Sequence, residues 1–75
     1  LLGRSRHRVE VRRLMESGVD ATARGAIDRA LRDFDDALML DPDNDLVWRL
    51  KGEALARQKG AEAALPLLKK ALDLN

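Results

Sequence analysis

The sequence predicts an all-α fold of stacked antiparallel helix pairs, and three observations carry that prediction. Gly18, Ala30, Leu31, Ala37, Leu38 and Leu40 recur 34 residues later as Gly52, Ala64, Leu65, Ala71, Leu72 and Leu74. A period of that size marks a supersecondary unit that cannot bury its apolar face alone and stacks on a copy of itself. Apolar residues elsewhere recur at three and four, and no stretch alternates with period two. The breaks between these stretches are short, which leaves consecutive helices antiparallel.

The first helix is expected from about Ser5 to Arg24, with Val11, Leu14, Met15, Gly18 and Val19 on one face and a break at Gly25. The second runs from about Ala26 to Leu40. Its stripe of Ile27, Ala30, Leu31, Phe34, Ala37 and Leu38 opposes Asp28, Arg29, Arg32, Asp35 and Asp36, the pattern of a helix with one dry side. Pro42 cannot continue it, and Asp43, Asn44 and Asp45 each carry a side-chain oxygen suited to cap the next helix. The third helix spans about Asp45 to Gln58, with Trp48, Gly52 and Leu55 on one stripe and Val47, Leu50 and Ala54 beside it; Gly60 ends it. The fourth, about Ala61 to Leu74, repeats the phase of the second through Ala64, Leu65, Leu68, Ala71 and Leu72. Pro66 falls near its first turns, where it costs less than the roughly 3 kcal/mol of a mid-helix proline. Gly18 and Gly52 stand inside helices at about 1 kcal/mol each relative to Ala, so a facing backbone is expected to approach closely there, with Ala30 and Ala64 opposite.

With 75 residues there is room for one small domain of marginal stability. Cys is absent and His7 is the single imidazole, so no structural metal site is expected, and the redox compartment stays open. No apolar run approaches a membrane span, and no signal pattern opens the chain. A soluble protein is expected, the cytoplasm ahead of export. The first residue is not Met, consistent with processing or excision from a longer protein. The net charge of +1 is uneven: residues 1–14 carry five Arg against Glu10, and residues 28–45 carry seven Asp against Arg29 and Arg32.

These residues resemble two tetratricopeptide repeats starting at Val11 and Asp45. The family alternates large apolar, Gly, Ala, aromatic and Pro positions at fixed intervals. Leu14, Gly18, Ala21, Ala30, Phe34, Ala37 and Pro42 occupy them in the first unit, with Gly25 at the turn. Trp48, Gly52, Leu55, Ala64, Leu68 and Ala71 occupy them in the second. Ser17 and Lys51 depart from the Leu usual before the Gly, Leu50 is one place early and Gly60 one place late. The resemblance implies a short right-handed α-solenoid, with residues 1–10 as a basic extension, 11–44 as the first unit and 45–75 as the second.

It also implies a concave groove lined by the first helix of each unit, at Arg12, Met15, Val19, Thr22, Leu46, Arg49, Glu53 and Arg57. The bland alternative is a solvated helix face. Protein–protein interaction or scaffolding is the expected function, with a protein or peptide partner and self-association left open. The family's Lys/Asn clamp for carboxylate termini is not expected, because Met15 and Val19 stand at its places and Glu53 would repel the ligand. The alternative is nucleic-acid association through the N-terminal arm, where Arg4, Arg8 and Arg12, spaced by four, would form one basic stripe on a helix beside Arg6, His7 and Arg13. Against it, both aromatics, Phe34 and Trp48, are assigned to packing and are not free to stack on bases.

Asp41, Asp43 and Asp45 miss calcium-loop spacing, because Leu46 stands where that loop needs Gly and Gly52 where it needs Glu. No nucleophile has a base and an orienting acid, so no catalytic residue and no cofactor are expected. Met15 and Met39 read as gap-fillers at helix interfaces. The last helix is more apolar than its counterpart: Leu67 stands where the first unit has Asp33, and Leu67, Leu68 and Leu74 are expected to pack end to end, against a missing unit, another copy or a partner.

Overall fold

The computed structural model describes the backbone of residues 2–75 and side chains from residue 7 onward. Among the described residues four helices follow in order: α1 (Leu2–Ala23), α2 (Ile27–Leu40), α3 (Asp45–Lys59) and α4 (Ala61–Leu74). No strand occurs among the described residues. Helix α1 packs on α2 and α3 on α4, while α3 also lies along α2 and touches α1. The result is a slab of 39 × 28 × 14 Å. Its short dimension fits two layers of helices whose axes sit about 8–10 Å apart.

The helix ends follow from the punctuation. Gly25 has φ +80, its N–H reaches Thr22 O at 3.0 Å and the N–H of Ala26 reaches Ala21 O at 2.8 Å. This is a Schellman closure, which satisfies carbonyls the helix leaves open and needs a residue free of Cβ at the left-handed position. At the start of α3 it is Asn44 that caps, its Oδ1 accepting from Val47 N at 3.1 Å while its Nδ2 donates to Asp41 Oδ2 at 3.0 Å. Gly60, with φ +95, ends α3 and begins α4 in a single residue. Helix α1 starts three residues before the expected Ser5, because nothing in its charged first turns breaks a helix even though no apolar stripe announces one there.

The core is narrow. Val11, Ala21, Ala30, Phe34, Ala37, Val47 and Ala54 form it, and among the described residues only Phe34 and Val47 are large side chains fully out of water. Alanines at the seams let the helices close on those two, and burying Phe34 contributes about 2–3 kcal/mol. The facing partners of the two helical glycines differ from those expected. A Cβ on Gly18 would collide with the Phe34 ring, 2.6 Å from Cζ, and one on Gly52 would stand 3.0 Å from Leu68 Cδ2. The close approach is therefore made by Phe34 and Leu68, one helical turn beyond Ala30 and Ala64. These pairs keep the offset of 34, as Phe34 and Leu68 are counterparts.

Trp48 is half-buried, and its Nε1 donates to Pro42 O at 2.8 Å, so the indole holds the turn between the hairpins. Met39 is 84% exposed, not the gap-filler expected of it, because it lies on the side of α2 turned away from both α1 and α3.

Candidate functional site

Helices α1 and α3 run beside each other without sealing the seam between them, and a shallow depression of about 570 Å³ remains. Arg12, Met15 and Val19 line it from α1 and Leu46 from α3, bringing together four of the eight expected groove residues. Val19 is 47% and Leu46 39% exposed, so the floor is apolar and wet. Glu16, Asp20 and Ala23 of α1 and Leu50 of α3 also line it and are not among the groove residues expected from the sequence. Arg12, Glu16 and Asp20 are four apart, so helical periodicity alone puts them on one stripe. The α1 wall thus runs from a guanidinium to two carboxylates, with Asp20 held by Arg24 at 3.0 Å.

The other four expected residues serve elsewhere. The Thr22 hydroxyl donates to Gly18 O at 2.8 Å, and Arg57 Nη1 donates to Thr22 O at 2.6 Å. The first bond lies within α1, and the second ties α3 to α1. Arg49 and Glu53 are exposed and 3.8 Å apart, a pair worth little in water. Arg49 also lines a second hollow of about 330 Å³ between α3 and α4, with Leu46, Leu68 and Leu72.

The basic stripe borders a third hollow, of about 430 Å³, where His7, Arg8 and Arg12 face Asp41 and Asn44 over Val11, Met15 and Leu40. Acid stands opposite base there. The side chains of Arg4 and Arg6 lie outside the described residues. No group of three His, Cys, Asp or Glu poised for a metal occurs among the described residues, and no described helix is long and apolar enough to cross a membrane.

The outer side of α4 differs from the expected picture. Leu67, Leu68 and Leu74 are half-buried, while the leucines of α4 left bare are Leu65 and Leu72, 59% and 74% exposed. Leu67 and Leu68 face α3, where they close on Gly52. The comparison of Leu67 with Asp33 misled because Asp33 is no surface residue. It is half-buried and accepts a hydrogen bond from Ser17 Oγ at 2.7 Å, so a polar pair occupies in the first hairpin the inward place that Leu67 fills in the second.

Compared with known proteins, the chain matches no family model, no curated protein and no solved structure.

Proposed function

We propose that this chain is a protein-interaction module: two tetratricopeptide-like units stacked as a short right-handed solenoid, taking an extended or helical peptide segment in the depression between α1 and α3. The observation that supports this reading best is the apolar strip of Met15, Val19, Leu46 and Leu50, left partly in water beside the charged stripe of Arg12, Glu16 and Asp20 on α1. Apolar anchors inside a polar rim are what peptide-binding grooves use. The ligand that fits is an amphipathic segment with two or three apolar anchors, a cation near Glu16 and Asp20, and a carboxylate near Arg12.

Nucleic-acid association through the arm has weaker support. Asp41 stands across from Arg8 and Arg12, Phe34 is buried, and the Trp48 indole N–H is engaged by Pro42.

Selection of a random-peptide phage library on the folded chain tests the proposal, with Val19→Asp and Leu46→Asp variants as counter-screens. Peptides that lose binding to both variants, with helical circular dichroism unchanged, support the groove. Peptides that bind the variants as well as the parent contradict it.

A further inference from the structure

Helix α3 covers one face of α2, and the contacts are specific. Leu31 and Leu38 of α2 are half-buried against the core, and Val47 and Ala54 of α3 are fully buried. Two polar contacts join the helices beside that face: Lys51 Nζ lies 2.6 Å from Asp35 Oδ1, and Gln58 Nε2 donates to Asp28 Oδ1 at 2.6 Å.

Thirty-four residues on, α4 presents the same face uncovered. Leu65 and Leu72 replace Leu31 and Leu38 and are the most exposed leucines of the chain's described residues. Glu62 replaces Asp28, keeping the acceptor, whereas Lys69 replaces Asp35 and reverses the sign. All four border one open hollow of about 780 Å³ together with Pro66 and Leu68.

We propose that this face of α4 docks one amphipathic partner helix in the register that α3 holds on α2, with a carboxylate against Lys69 and an amide or cation against Glu62. On α3 the contacting residues are Val47, Lys51, Ala54 and Gln58, at steps of four, three and four. The partner helix therefore carries an apolar, an acidic, a small and a donor residue at those spacings. Charge complementarity selects it: the α3 sequence itself would set Lys against Lys69.

A second copy of the chain fits poorly. Where α3 has Val47 and Ala54, α1 has Arg13 and Asp20, both exposed, so head-to-tail stacking would press charges onto Leu65 and Leu72. A two-fold pairing of α4 with its copy centred on this patch would bring the two Lys69 side chains together. The inference rests on the two hairpins being equivalent units and does not depend on the α1/α3 groove.

The test is fluorescence anisotropy with two labelled, hydrocarbon-stapled helical peptides of the residue 45–59 sequence, one native and one with Lys51→Glu, titrated with the full chain. The acidic peptide is expected to bind the parent roughly three- to tenfold more tightly than the native one, the range of an exposed charge pair gained and a like pair removed. Lys69→Glu inverts that order, and Leu72→Asp abolishes binding of both without loss of helical circular dichroism. Equal affinities throughout, no binding by either peptide, or indifference to Leu72→Asp overturns the proposal. So does a parent chain that sediments as a dimer dispersed by Leu72→Asp, which would assign the face to a second copy. Binding lost through Val19→Asp in place of Leu72→Asp also overturns it, and leaves the groove reading standing.

Discussion

The ring of Phe34 lies directly on the backbone of Gly18, with no room for even a methyl group between them. Phe34 is 1% exposed and, with Val47, one of the two large side chains fully buried among the described residues, so the ring cannot swing away without opening the core. Gly18→Ala therefore sets an overpacking cost of up to about 3 kcal/mol against a helix-propensity gain of about 1 kcal/mol. A net loss is expected, read as a fall in melting temperature of at least about 4 °C by circular dichroism.

The related substitution in the second hairpin should behave differently. At Gly52 the nearest atom is Leu68 Cδ2, the far end of a flexible and half-buried side chain, at 3.0 Å. Leucine can shift where the Phe34 ring cannot. Gly52→Ala is expected to leave stability within about 1 kcal/mol of the parent, the propensity gain offsetting the readjustment. A fall as large as that of Gly18→Ala would show α3 and α4 to be as tightly locked as α1 and α2.

Asn44 accepts from Val47 N at the start of α3 and is the only side chain seen capping that end. Asn44→Ala removes the acceptor and is expected to destabilise the fold by about 1 kcal/mol. Asn44→Asp keeps the acceptor but turns the Nδ2–Asp41 contact into a like-charge one, so it should fall between the two. Urea unfolding midpoints with unchanged m-values would report both changes.

The Lys51–Asp35 pair is testable as a cycle because its lysine is three-quarters buried, at 24% side-chain exposure. Lys51→Glu and Asp35→Lys should each cost up to about 1 kcal/mol, and the double reversal should recover most of the loss. Additive losses would mean that the pair does not set the register of α3 on α2.

The four helices were legible because hydrophobic spacing, Gly25, Pro42 and Gly60 all point the same way. What spacing could not give was rotation and register between helices. Ala30 opposite Gly18 was the natural guess from size, but the crossing places Phe34 there, and size alone does not fix how far one helix slides along another. Asp33 looked like a surface residue because it is charged; its bond to Ser17, sixteen positions away, is invisible to a local pattern. Comparison with Asp33 turns Leu67 outward, while the shared phase with Leu31 and Leu38 puts Leu65 and Leu72 on a packed stripe; α3 covers that face of α2, and no described helix covers it on α4. In the groove, the family positions do not include Glu16 and Asp20, which share a four-residue stripe with Arg12 and line the depression.

The groove assignment is tested most directly by a 15N chemical-shift map of the folded chain titrated with a peptide from the phage selection. Perturbations gathered on Arg12, Met15, Glu16, Val19, Leu46 and Leu50, saturating at one peptide per chain, are expected. Perturbations that leave these six untouched and gather on any other surface would contradict it.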